Sequence, residues 1–447
     1  MLIHFVSLGC DKNLVDSEIM LGILCREGHT ITYDAGLAEA IVVNTCGFIA
    51  DATEEGIETI LELARYKQEG NCKTLIVTGC MAQRYKEDIL KELPEVDAVV
   101  GSGDFEAIGK VLAQTQVGLC LVTEKRLDES LGKQRLLSGP GYFSYLKIAE
   151  GCNHFCTYCT IPAIRGKYRS RPLESLAEET KTLAAQGVKE LVLVAQDTSL
   201  YGIDIYGSQK LHELLRVLSQ VDGIEWIRLM YCYPDHITDE LINEIANNPK
   251  VCHYIDMPIQ HSHENILLKM NRGGRRPIPD IIKKLREKIP DIVLRSTIMV
   301  GFPGEGAEEF KHLLRFMVDM QFDRLGAFMY SKEEGTKAYD FANQVPYEVK
   351  QKRLRAVMSL QKKISAGKSR TKEGQVFKVI VDGKLPDDNI YCGRTYMDCY
   401  ELDGMVFFKD SLNIQEWMAG DFVDVLITGS SAYDLIGEIW NADEFAQ

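Results

Sequence analysis

Residues 143–172 read FSYLKIAEGCNHFCTYCTIPAIRGKYRSRP. The first seven are rich in aromatic and branched residues and stop at Gly151, the pattern of a strand ending in a loop. The loop carries Cys152, Cys156 and Cys159. Three thiolates this close can grip one inorganic cluster. A four-iron cube usually takes four cysteines, so three leave one iron with open coordination. A catalytic metal likewise keeps a free position where a structural one is closed. An open iron can chelate a small molecule and pass it an electron. The competing reading is a structural zinc loop whose fourth ligand is His154.

Outward from this loop the chain divides into three. Downstream, strands are expected at 143–149, 190–195, 226–230, 254–258, 293–300 and 324–330, with helices such as 173–186, 210–221 and 305–320 between them. Six β/α units over ~190 residues fit an open or partial (β/α) barrel, since eight normally need ~250. Upstream, strands at 2–8, 40–44 and 74–78 alternate with helices at 13–27, 51–68 and 83–93, the pattern of a parallel α/β sheet. Ser138-Gly139-Pro140-Gly141 reads as the linker. Beyond the barrel, residues 347–372 form a basic helical stretch whose nine Lys/Arg stand against Glu348 and the adjoining Glu373, net +7. Residues 376–447 change period, with short strands at 377–381, 405–408, 422–427 and 435–439 that suit a small all-β barrel. The expected domains are 1–135, 138–373 and 374–447.

Composition bounds the function. The chain has 447 residues, 45% hydrophobic and 26% charged, which excludes a disordered or fibrous protein. No apolar run approaches the ~18 residues that span a bilayer, so no membrane partner is expected. The net charge of −14 disfavours a protein that simply coats nucleic acid. Most of that charge lies in residues 376–447, which carry a net −10. The start MLIHFVSLGC resembles a lipoprotein site but lacks a basic region and a full apolar segment. A cytoplasmic location is therefore expected. There thiols stay reduced, and the 13 cysteines are available for metal or chemistry.

Three further cysteines share a position. Cys10, Cys46 and Cys80 each lie just past an expected parallel strand, and each adjoins a glycine: Gly9, Gly47 and Gly79. The carboxyl ends of strands in an open α/β sheet line one crevice. Topology thus brings these three thiols to one edge. The other seven, at 25, 72, 120, 232, 252, 392 and 399, read as ordinary packing or surface thiols. Cys232 is the one placed near the expected cavity.

The Cys152/Cys156/Cys159 spacing, with Tyr158 in its aromatic slot, resembles the radical S-adenosylmethionine superfamily. That resemblance implies a [4Fe-4S] cluster on these cysteines and S-adenosylmethionine bound to its open iron. It places further cofactor contacts at later strand ends: Tyr158, Gln196, Asp197, Gln260, Ser262, Arg295, Gly301 and Gly304, the glycines letting backbone approach the adenosine. With Cys10, Cys46 and Cys80 added, and with the segment 161–172, the whole chain is similar to the methylthiotransferase family. This implies a flavodoxin-like N-terminal domain with an auxiliary [4Fe-4S] cluster, a partial radical barrel, and a small C-terminal TRAM barrel. It also implies two uses of S-adenosylmethionine, as methyl donor and as radical source. It leaves no catalytic residue beyond the cluster ligands.

The family divides by substrate. The run Ser7-Leu8-Gly9-Cys10-Asp11-Lys12-Asn13 resembles the branch that methylthiolates an aspartate β-carbon on ribosomal protein S12, the alternative being the tRNA adenosine branch. An acidic C-terminal barrel complements a basic ribosomal protein. It is expected to dock that protein through outward acids such as Asp382, Asp387, Asp388 and Asp398. The basic helix and the Arg165/Lys167/Arg169/Arg171 run leave open contact with RNA and, equally, helix capping or binding of an acidic loop or of the target's carboxylate. The expected partners are S12 and an electron donor such as flavodoxin, and the expected state is a monomer.

Overall fold

The computed structural model describes residues 1–113, 118–123, 135–274, 277–386, 389–411 and 416–441. Strands β1 (Leu2–Ser7), β2 (Thr30–Thr32), β3 (Ala40–Thr45), β4 (Thr74–Gly79), β5 (Ala98–Gly101) and β6 (Leu119–Leu121) form one parallel sheet in the order β2-β1-β3-β4-β5-β6. Every residue of β3 is buried, as in a central strand covered on both faces. Alternate residues feed two cores: Ile3, Val42 and Ile76 on one face, Ile41, Val43 and Val77 on the other. The order reverses between β1 and β3. That flavodoxin-like switch opens a crevice beyond the strands' carboxyl ends. β2 and β6 are three-residue strands, too short to show a period in the sequence. The helix expected over 83–93 is broken at Lys86, whose φ of 48° no helix accepts.

The second sheet holds β7 (Phe143–Lys147), β10 (Glu190–Val194), β11 (Trp226–Leu229), β12 (Val251–Asp256), β13 (Val293–Val300) and β14 (Arg324–Met329), parallel and in chain order. A short ribbon, β8 (Ala149–Glu150) with β9 (Arg169–Ser170), brackets the cysteine loop. This is the expected open half-barrel of six strands. Its outer face, with Leu146, Leu191, Leu193, Leu229 and Ile255, packs under the helices. The C-terminal strands β15 (Val376–Lys384), β16 (Ile390–Arg394), β17 (Val406–Lys409), β18 (Phe422–Ser430) and β19 (Leu435–Ile439) close into a five-stranded barrel. The fifth strand, β16, is masked in the sequence by its Gly393 and Arg394. Among the described residues no helix is long and apolar enough to cross a membrane.

The small barrel is not a peripheral module. The half-barrel's inner face, with Phe143, Val192, Val194, Trp226, Tyr254 and Val293, shares one core with Val379, Val381, Tyr391, Phe408 and Val425 of the small barrel. Charges at this junction correct the expectation of outward acids. Asp398 accepts from Arg324 at 2.5 Å. Asp382 accepts from Tyr142 at 2.7 Å and from Arg394 at 3.0 Å. Asp403 accepts from the Tyr254 hydroxyl at 2.7 Å. Arginines lining the open sheet need buried partners, and the small barrel supplies them. Its acidic count therefore overstates its acidic surface. Asp387 and Asp388 lie outside the described residues.

Glu190 sits at the centre of this junction, with Arg228 at 2.8 Å and Arg394 at 2.7 Å. Burial alone would raise its carboxyl, but Arg394 and Arg228 outweigh burial and hold it below the usual 4.5. A depressed carboxyl contributes stability that is whole above its unfolded value and lost as pH falls through its folded one. Glu190→Gln leaves both guanidiniums short of charge and should cost about 3–5 kcal/mol near pH 7. Urea unfolding at a series of pH values should show the gap to the native chain closing below pH 4.5. A constant gap would mean that Glu190 is not ionised in the junction.

Candidate functional site

Two sets of thiols lie at the carboxyl ends of the two sheets. Cys10 follows β1, Cys46 follows β3, and Cys80 opens the helix Cys80–Tyr85 directly after β4. Their glycines permit the approach. A Cβ on Gly9 would stand 2.8 Å from that of Cys46, and one on Gly47 would stand 2.8 Å from the Met81 backbone. Gly79, at φ +93°, leaves no room for a side chain against Asn44 and Thr45. Burial pushes the Cys46 thiol up to about 11, and nearby Cys80 and Cys10 add to the rise.

The second set rides one loop between β8 and β9. The Cys152 amide donates to Gly166 O at 3.1 Å, and the Cys159 amide to Cys156 O at 3.0 Å. Asn271 Nδ2 donates to His154 O at 2.9 Å, holding the loop's tip. Tyr158 is buried with Met299, Phe302 and Tyr330. Burial pushes Cys152 up to about 11 and Cys159 up to about 12. His154 does not complete a zinc set here: its Nε2 lies 2.7 Å from Asp197 Oδ2, and its ring stacks on Tyr233 at 4.1 Å. Thiols on one tetrahedral zinc stand only about 3.8 Å apart, given Zn–S of ~2.3 Å. Among the described residues the group whose ligand atoms all lie within 4.8 Å is His154, Asp197 and His236, and neither cysteine set is that tight. The spacing and the all-sulfur donors suit a multi-iron core at each set.

The two loops meet. Thr160, next to Cys159, donates to the carbonyl of Phe48, two residues past Cys46, at 3.3 Å. Arg165 ends the helix Ile161–Arg165 and crosses the seam, its Nε and Nη2 lying 3.2 and 3.0 Å from Cys80 Sγ. The same guanidinium donates to Asp16 at 2.6 Å, Glu150 at 3.2 Å and Asn13 at 2.5 Å. Lys147 donates to Asp16 and to Glu150. Burial opposes Arg165's charge, but Cys80, Glu150 and Asp16 outweigh it and keep the guanidinium protonated. On the other side of the seam, Arg84 donates to Gly47 O and to Glu333, both at 2.9 Å. Asp11 accepts from Tyr231 at 3.2 Å, and Lys12 Nζ sits 3.2 Å above that ring.

The remaining sequence candidates fall into different settings. Gln196 donates to Glu150 at 3.1 Å, and its Oε1 is buried without a partner. Gln260, at φ +66°, also buries an unpartnered Oε1. Asp197 is taken up by His154 and, at 3.0 Å, by His236. Burial would raise its carboxyl, but those two hydrogen bonds hold it far below the usual range. Arg295 is held by Asp256 at 2.9 Å, and Ser262 meets His312 at 3.1 Å. Gly301 and Gly304 both have positive φ, and lysines fill the space beside them: Lys350 and Lys269. Cys232 is wholly buried beside Thr198, a packing thiol. Sequence reasoning missed Asp16, Lys147 and Glu150 and did not place Arg165 at the seam. Its available signal was the polar set Lys12, Asn13, Asp16 and Ser17, buried on a helix that should have turned such residues outward.

Replacing Arg165 by Met should leave Lys147 as the one cation shared by two buried carboxylates at the seam, Asp16 and Glu150. The expected cost is about 3–5 kcal/mol in urea unfolding. Anaerobic reconstitution should then lose about four irons, the share of one cluster. A variant with full iron and unchanged stability would show that the seam does not depend on this residue.

Comparison with known proteins agrees with this architecture. Residues 2–101 match the Uncharacterized protein family UPF0004, residues 146–317 the Radical SAM superfamily, and residues 374–439 the TRAM domain. The ribosomal protein uS12 methylthiotransferase RimO of Lachnoclostridium phytofermentans is 50% identical over 440 residues, covering 98% of this chain and 99% of that protein. The protein of the same name from Acetivibrio thermocellus is 48% identical over 449 residues, covering 98% of each. Among solved structures, the radical S-adenosylmethionine methyltransferase TsrM from Kitasatospora setae shares the fold, with a TM-score of 0.56, 15% identity, and coverage of 73% of this chain and 74% of that one. With such identity along nearly its full length, the chain belongs to the RimO family of radical S-adenosylmethionine methylthiotransferases.

Proposed function

We propose that the chain inserts a methylthio group at the β-carbon of an aspartate on ribosomal protein S12. The observation that carries the substrate is the 50% identity, over 98% of the chain, to a protein named for that reaction. The target C–H bond is unactivated, and no side-chain base removes such a hydrogen at neutral pH. In this reading Cys152, Cys156 and Cys159 hold one [4Fe-4S] cluster, and Cys10, Cys46 and Cys80 hold an auxiliary one. When bound, these clusters and S-adenosylmethionine supply a carbon radical that removes the hydrogen and the methylthio group that replaces it.

The contact between the two cysteine loops supports one shared site for these events. Thr160 and Arg165 tie the two cysteine loops together across the seam. The buried acceptors Gln196 Oε1 and Gln260 Oε1 offer an ammonium group its hydrogen bonds, which suits the amino end of S-adenosylmethionine. Glu150 both orients Gln196 and balances Arg165 and Lys147, so cofactor pocket and seam share one carboxylate. An outside protein such as flavodoxin supplies the electron.

S12 isolated from a deletion strain should lack the mass of one methylthio group less a hydrogen. An unchanged mass shift would overturn the substrate. Replacing Cys152, Cys156 and Cys159 by Ala should abolish 5′-deoxyadenosine formation. Replacing Cys10, Cys46 and Cys80 should leave cofactor cleavage and stop methylthiolation. Both triple variants should retain about four irons per chain. Cleavage persisting in the first variant would reverse the assignment of roles.

A further inference from the structure

The helix Tyr347–Arg370 is 24 residues long, so it runs about 36 Å. Its basic residues divide by face. Arg353 pairs with Glu305 at 2.8 Å, Lys368 pairs with Asp323 at 2.7 Å, and Lys350 donates to Tyr330 O at 2.7 Å. These three face the half-barrel. Lys352, Arg355, Lys362, Lys363 and Arg370 are all exposed. Steps of three, seven and eight residues put them on one side of a 3.6-residue period. Among the described residues none of the five has an ion-pair partner. Glu348, in the first turn, is the one acid on that side.

The stripe has a direction. At the helix's start, Lys350 binds Tyr330 just after β14 and Arg353 binds Glu305 after β13, at the rim where the cysteine loops lie. At its end, the chain joins the small barrel, with the Gly374 amide donating to Ile427 O at 2.8 Å. The cations therefore lead from the mouth of the site down the flank of the molecule. They do so on a chain whose net charge is −14.

We infer that this stripe is a track for the phosphate backbone of ribosomal RNA, which holds the enzyme on the small ribosomal subunit while S12 enters the site. The inference rests on S12 being the substrate. Two observations favour RNA over an acidic protein. A protein interface needs an apolar centre ringed by polar groups. The residues between the five cations on this side are Ser359 and Ala366, and the exposed large hydrophobics nearest to them in sequence, Tyr347 and Val376, lie beyond the helix's cationic span. Phosphate binding needs only uncompensated cations spread along a line.

The test compares the full, cluster-loaded chain with a variant carrying K352Q, R355Q, K362Q, K363Q and R370Q. The probes are unmodified small subunits from a deletion strain, protein-free small-subunit RNA, purified S12 and a flavodoxin. Uncoupled cofactor cleavage and the thermal midpoint should match in the two proteins, since no substituted side chain has a partner to lose. The native chain's affinity for subunits and RNA should fall steeply with salt. The variant's log–log slope should be shallower by up to about 4, given 0.7–0.9 per phosphate contact. Its modification of subunits should drop tenfold or more, and its modification of free S12 should stay unchanged. Equal salt slopes would overturn the track. So would a variant that keeps its RNA affinity and loses only flavodoxin. If the native chain binds RNA with the steep slope yet modifies S12 in neither form, the track stands and the substrate reading falls.

Discussion

The whole arrangement depends on one buried cation. Arg165 lies in the seam between two sheets, with two carboxylates, one amide oxygen and one thiol within hydrogen-bond reach. A buried guanidinium is stable only when its donors are met by well-placed acceptors. Asp16 and Asn13 come from the first sheet's leading helix, Cys80 from the end of β4, and Glu150 from the ribbon beside the cysteine loop. Neither sheet alone can satisfy the guanidinium. The two halves therefore dock in one register, and that register sets the distance between the two thiol sets.

A second junction follows the same logic at the opposite end of the half-barrel. Six strands leave the barrel open, so the inner face must be covered by something other than its own missing strands. The five-stranded barrel does this with apolar residues, and with Asp382, Asp398 and Asp403 accepting from Tyr142, Arg324 and Tyr254 of the half-barrel. Glu190 receives Arg228 and Arg394 from the two sides. Acids used this way are withdrawn from the surface. The chain's net charge is thus a poor guide to what its C-terminal part can dock.

Legibility followed the range of the interaction. The cysteine loop at 152–159 is local, and its spacing together with Tyr158 carried the resemblance to the radical S-adenosylmethionine superfamily. The strands of both parallel sheets were readable because buried strands are continuous apolar runs bounded by glycine and polar turns. Cys10, Cys46 and Cys80 were readable through topology, since each stands at a strand's end. Arg165 stood in plain view, but its role was not, because its partners lie 15, 85, 149 and 152 positions away. The inward turn of Asp398 was equally hidden. Composition counts a charge and cannot say which way it faces. The broken helix at Lys86 and the strand β16 failed for smaller reasons, a single left-handed residue and a short glycine-bearing run.

The two thiol sets differ in what must fold before they exist. Cys152, Cys156 and Cys159 need only one loop closed by its own backbone bonds and by Asn271. Cys10, Cys46 and Cys80 need β1, β3 and β4 paired in register, with three glycines allowing close approach. Cys80 further needs Arg165, which arrives only when the half-barrel docks. The second set is therefore complete only where the two halves dock. A chain in which the seam has not formed presents one finished thiol set and one unfinished one. The seam is therefore a condition for bringing Cys10, Cys46 and Cys80 into their final arrangement.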